Sequence, residues 1–93
     1  MGTLRQQIMA RLKIQPMDRR QLSQTLGISE KEADRHLPHV AKSAVARGMI
    51  WTVRPAICEN CSYIFKNRQR LDPPGRCPAC RQSRIRGPWY QIT

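Results

Sequence analysis

Apolar side chains open the chain at four-residue intervals. Leu4, Ile8 and Leu12, with Met9 beside them, predict a helix over about 4–13. Thr3 and Gln6 have the spacing of a capping box ahead of it, and Pro16 ends it by opening a turn. Asp18 can cap a second helix, with Gln21 again at the third helical position. Leu22 and Leu26 lie one turn apart on its buried face, and Gly27 supplies the left-handed residue that closes it. Ser29-Glu30-Lys31-Glu32 opens a third helix that runs to about Arg47. At 100° per residue, Ala33, Leu37, Val40 and Ala44 fall within about 60° and form its core face. Pro38 lacks a backbone donor, so this helix either kinks there or divides into segments near 30–36 and 38–47.

After Gly48 the pattern becomes extended. Residues 49–53, 62–66 and 89–92 read as strands, with Pro55 marking a bend. Residues 67–76 form a polar loop around the turn Asp72-Pro73-Pro74-Gly75, and 81–86 a basic return segment. If 49–53 pairs with 89–92, the stretch between them is an insertion at the tip of a two-stranded sheet packed on the helices. Trp51 and Trp89 are the expected core residues joining the two halves. The predicted fold class is α+β. Asp18 to about Arg47 has the pattern of a helix-turn-helix, and the strand–loop–strand after it stands where the wing of a winged helix stands. Three segments follow: a core over 1–53, the insertion over 54–88, and a closing strand over 89–93.

The insertion holds all four cysteines, in the pattern C-x2-C-x15-C-x2-C: Cys58, Cys61, Cys77 and Cys80. Two cysteines separated by two residues can curl into one knuckle with both sulfurs facing one point. Two such knuckles complete a tetrahedron around one ion. Zinc suits four thiolates, and no position is left for water or substrate, so the expected site is structural. An iron centre of the rubredoxin type uses the same ligands and is the less favoured metal. Two disulfides would need an oxidising compartment, and a redox C-x-x-C pair would need a βαβ setting.

Charge changes the picture from a metal-stapled fold to a binding protein. The formal net charge is +11, with thirteen of the seventeen basic residues arginine. A tetrathiolate zinc site lowers it to about +9. Such a balance in so small a chain points to a polyanionic partner, most often nucleic acid. On the third helix Lys31, Arg35 and Lys42 fall within about 40° of one another, flanked by His39, opposite the core face. A major-groove helix needs such a stripe, although a solvated face also favours Lys and Arg. The arginines of the insertion, Arg68, Arg70, Arg76, Arg84 and Arg86, are candidate phosphate contacts.

The chain resembles a family of small prokaryotic, largely archaeal, predicted transcriptional regulators that join a winged helix-turn-helix to a rubredoxin-like zinc ribbon. The likeness rests on Ser29-Glu30-Lys31-Glu32, the run from His36 to Ser43, Pro55-Ala56-Ile57-Cys58, Tyr63-Ile64-Phe65-Lys66 and Cys77-Pro78-Ala79-Cys80. The resemblance implies a zinc ribbon in or beside the wing, and DNA binding. One departure is visible. Such knuckles usually carry Gly just after the second Cys, where the backbone turns left-handed, but here those positions are Ser62 and Arg81.

The expected function is therefore a DNA-binding transcriptional regulator whose partner is double-stranded DNA. One alternative is a protein-interaction module that docks through its ribbon on a larger complex, such as a transcription complex. Another is an RNA-binding module stacking bases on Tyr63, Phe65 and Tyr90. No Ser/His/Asp set, paired carboxylates, Gly-rich phosphate loop or open metal position is apparent, so no enzyme is expected. The polar opening and the lack of a long apolar run predict neither a signal peptide nor a membrane span, and so a cytoplasmic location. The first helix leaves a homodimer open.

Overall fold

The computed structural model describes residues 2–66 and 71–93. It is an α+β fold. The helices α1 (Leu4–Ile14), α2 (Arg19–Leu26) and α3 (Glu30–Ala46) precede the strands β1 (Trp51–Arg54), β2 (Ile57–Cys58), β3 (Ile85–Arg86) and β4 (Trp89–Ile92).

Each helix starts where its cap predicts. Thr3 and Gln6 close a reciprocal capping box, and so do Asp18 and Gln21. At α3 the Ser29 hydroxyl accepts from the Glu32 amide at 3.0 Å. Each such cap satisfies amides that would otherwise be orphaned and contributes about 1 kcal/mol. Gly27 closes α2 in the left-handed region at φ 66°, and its amide donates to the Ser23 carbonyl.

Helix α3 runs unbroken through Pro38. The proline leaves the Asp34 carbonyl without its helical donor. Ala33, Leu37, Val40 and Ala44 are all fully buried on either side of it, so packing on both halves of the helix outweighs one lost hydrogen bond. Arg19 at the start of α2 pairs with Asp34 on α3. Partial burial pushes the Asp34 carboxyl above its usual range, against the lowering effect of Arg19.

The core is built by Ile8, Met9 and Leu12 of α1, Leu22 of α2, the buried face of α3, and Tyr90 and Ile92 of β4. Burying each large apolar side chain contributes about 1.5–3 kcal/mol. β1 and β4 pair antiparallel, Trp51 opposite Ile92 and Arg54 opposite Trp89; the sequence raises this pairing but not its register. The sheet gains a third member that the sequence does not advertise. Met17, in the α1–α2 linker, exchanges both backbone hydrogen bonds with Tyr90 at 2.9 and 3.0 Å. The spatial order is thus Met17, β4, β1.

Two expectations fail in detail, and a third, that Trp51 and Trp89 join the halves, holds in part, since Trp51 packs on the core cluster. The strand foreseen over 62–66 is a single bridge between Ile57 and Ile64. Instead β2 pairs with β3, which lies inside the segment read as a basic return. Each cysteine knuckle consumes the backbone hydrogen bonds next to it, which leaves room for only two-residue strands. Trp51 and Trp89 are half-buried, while the residue between the halves that is fully buried is Tyr90, with the Trp51 ring stacked on it at 5.7 Å.

Gly87, with φ 80°, precedes β4; a Cβ there would stand 2.7 Å from the Trp89 ring, so only glycine fits.

Candidate metal centre and basic helix face

The insertion between β1 and β4 brings its four cysteines to one point. The ligand sulfurs of Cys58, Cys61, Cys77 and Cys80 all lie within 4.8 Å of one another. Cys58–Cys80 and Cys61–Cys77 are each 3.6 Å apart, and all four are free thiols. A disulfide would need about 2.05 Å. Four thiolates at about 2.3 Å from a tetrahedral metal sit about 3.8 Å apart, close to what is seen. The donor set can therefore hold a metal ion and is compatible with zinc.

The two knuckles share one construction. The Ser62 amide donates to the Cys58 carbonyl at 2.9 Å, and the Arg81 amide to the Cys77 carbonyl at 2.8 Å. The cysteine amides then reach back: Cys58 to the Tyr63 carbonyl and Cys77 to that of Gln82, both at 2.9 Å. This loop needs a left-handed residue after the second cysteine. Ser62 and Arg81 both adopt φ 64° and are the non-glycine residues with positive φ among those described. The turn is kept without glycine, at a cost of about 1 kcal/mol each. Ser62→Gly or Arg81→Gly is expected to raise unfolding stability by about 0.5–1 kcal/mol, read by denaturant melting of the metal-loaded protein. An unchanged or lower midpoint would mean that the side chains earn their place another way.

The thiols are electrically unequal. Cys80 is lowered to about 6, first by a hydrogen bond from the Asn60 side chain and next by the Gln82 backbone. At Cys61 the Tyr63 backbone amide acts to lower the value, yet desolvation and the neighbouring thiols push it up to about 12. Four sulfurs this close cannot all ionise without a cation among them. Cys58 and Cys77 are buried and Cys61 is exposed at the rim.

The basic stripe of α3 is where the helical wheel puts it. Lys31, Arg35, His39 and Lys42 are all exposed, opposite the buried face. His36 is half-buried, and its Nδ1 accepts from Arg5 Nε at 3.3 Å. Arg76, Arg84 and Arg86 are exposed on the insertion, while Arg68 and Arg70 lie outside the described residues. Arg86 is 3.5 Å from Glu59. Arg84 and Arg86 line an open groove of about 600 Å³ with Arg19, Arg20 and Glu30, between the insertion and the start of α2. No local pattern announces that meeting, because it needs the insertion to fold back over the helices. Tyr90 is corrected as a base-stacking residue, since none of its surface is exposed. Tyr63 is exposed and Phe65 half-buried, and the two form an edge-to-face pair with centroids 5.1 Å apart.

Among the described residues no helix is long and apolar enough to cross a membrane. Residues 3–50 match the protein family described as PF0610-like, N-terminal. The solution NMR structure of protein PF0610 from Pyrococcus furiosus is similar over 100% of this chain and 92% of that one, with a TM-score of 0.79 at 25% identity. No curated protein matches the chain.

Proposed function

This chain belongs to the PF0610-like family, and from there we propose that it is a DNA-binding transcriptional regulator of the cell interior. In this reading it is a winged helix-turn-helix whose wing is a rubredoxin-like zinc ribbon, held by one structural zinc on Cys58, Cys61, Cys77 and Cys80. The observation that carries the reading is the two-sided third helix. Its apolar face is fully buried, and its opposite face presents Lys31, Arg35, His39 and Lys42 to solvent. The left-handed Gly27 that turns α2 into α3 supports it, and so does the strand order Met17, β4, β1 with the insertion projecting between the last two.

Glu30 and Glu32 occupy the first turn of α3. They suit the helix dipole there but repel phosphate, so base contact begins one turn later, at Arg35. That arginine is the candidate for bidentate contact with guanine, worth about 1–3 kcal/mol of discrimination. Lys31, Lys42, Arg76 and Arg84, with Arg68, Arg70 and Arg86, supply the sequence-independent attraction.

The test is binding of the zinc-loaded protein to a pool of genomic DNA fragments across a salt series, with the recovered fragments sequenced. Log affinity is expected to fall with log salt, each phosphate contact adding about 0.9 to the slope. Arg35→Ala is expected to abolish enrichment of a motif, and Lys42→Ala to weaken all fragments alike. Affinity indifferent to salt would sink the proposal. A visible colour on purification would replace zinc by iron.

A further inference from the structure

A second surface, apart from the basic stripe, lies where the insertion meets the helices. A groove of about 690 Å³ is lined there by Pro16, Arg54, Pro55, Ile57, Ile64 and Trp89, with Gln21 at its edge. Its walls come from the α1–α2 linker, the end of β1, the first knuckle and β4, so only the folded chain assembles it. Ile57 and Ile64 oppose each other across the isolated bridge. Directly opposed strand residues project to the same face. Ile57 is 36% exposed and Ile64 45%. Of the large apolar side chains after residue 50, these two stand side by side in water. Continuous apolar surface next to a concave wall marks an interaction site more often than a scattered exposed residue does.

The chemistry of the occupant follows from charge. Among the described residues Arg54 is the one charged residue lining this groove, and no carboxylate does. The chain as a whole carries +11. A second copy, equally basic, is repelled, and so is any cationic segment. A nucleic-acid base could stack on Trp89, but the branched aliphatic side chains of Ile57 and Ile64 give no flat platform for stacking, and one arginine is a poor track for a phosphate backbone. Pro16 and Pro55 offer no backbone amide, so recognition falls to side-chain burial with Arg54 as the polar anchor.

We infer that this groove docks an extended segment of another protein, with two or three large apolar side chains flanked by carboxylates. The apolar side chains cover Ile57, Ile64 and Trp89, and a flanking carboxylate pairs with Arg54. The inference goes beyond DNA binding and does not depend on it, since no residue of the α3 stripe lines the groove.

The experiment is a selection from a random library of twelve-residue peptides against the full-length, metal-loaded protein. Selected peptides are then titrated while the methyl signals of Ile57 and Ile64 and the Trp89 indole are followed by NMR. The expected result is enrichment of apolar cores flanked by Asp or Glu, with saturable shifts at these three residues. Affinity should fall at least tenfold with Arg54→Glu and with Ile64→Asp, and stay unchanged with Arg35→Ala. Arg54 is exposed and has no packing role in the core, so Arg54→Glu alone decides the matter if Ile64→Asp fails to fold. The inference is overturned if nothing is enriched, if acidic peptides without apolar residues bind as well, or if the shifts fall on α3. It is equally overturned if the Ile57 and Ile64 signals move with protein concentration alone, for then a second copy fills the groove.

Discussion

Stripping the metal from the four-cysteine centre is expected to unfold residues 55–88 and leave the three helices assembled. The reason is where the apolar burial lies. Among the described residues of the insertion the buried ones are Ala56, Cys58, Pro74, Cys77, Gly87 and Pro88, none a large aliphatic or aromatic side chain, and two of them are candidate ligands themselves. Its strands are two residues long. A segment with so little core depends chiefly on an ion in the four-cysteine centre to offset its conformational entropy. Structural zinc in small peptides is worth about 10–16 kcal/mol at neutral pH, more than the whole margin of most domains.

The helices do not share this dependence. Ile8, Leu12, Leu22, Leu37 and Val40 are fully buried against one another and against β4. With the insertion unfolded, β1 and β4 are joined by a long loop. The entropy of closing such a loop grows only by about 0.6 kcal/mol for each doubling of length. Addition of a strong chelator should therefore collapse the amide dispersion of 55–88 in an NMR spectrum while hydrogen-exchange protection persists in α1 and α3. Cys77→Ser should behave the same way. Dispersion retained without metal, or simultaneous loss of protection throughout, would each show that this division of the energy is wrong.

Tyr90→Ala is expected to be the most damaging substitution in the helical half, by about 3–5 kcal/mol. No part of Tyr90 is exposed. Its ring stacks on Trp51, and its hydroxyl donates to the Leu71 carbonyl, in the loop that leads to the second knuckle. Burial pushes the phenol well above its usual value, so the group stays neutral and remains a donor. Alanine empties a cavity between the helices and the sheet, and leaves Leu71 unsatisfied. Tyr90→Phe keeps the ring and loses only the hydrogen bond, a cost of about 1–2 kcal/mol. Denaturant melts of the metal-loaded variants separate the two: the alanine variant should fall at least twice as far as the phenylalanine one. Equal losses would put the whole role of the residue in its hydroxyl, and a loss under about 1 kcal/mol would mean that the core closes over the gap.

These two expectations place the residues on opposite sides of a line between local and long-range information. The four cysteines are legible in the sequence because a knuckle is a local object. Two residues between ligands and a left-handed residue after them suffice to build it, and the turn forms even with Ser62 and Arg81 in the glycine positions. The helix starts are legible for the same reason, since the hydrogen bond of each cap spans three residues. So is the basic stripe of α3, which follows from the helical period once its apolar face is known.

What the sequence by itself determined, then, is the three helices, their order, the terminal strand and the cysteine centre. Their causes act over a few residues, or through a hydrophobic pattern with one solution. Only the tertiary structure decided that Pro38 is carried inside one helix, because the packing energy on both sides of it comes from α1, α2 and β4. It alone chose Tyr90 over the two tryptophans as the buried residue, because strand register fixes which face meets the helices. It also set β2 against β3 and left Ile57 and Ile64 exposed beside Arg54. Those contacts join residues far apart in the chain, and no local periodicity encodes which of them will meet.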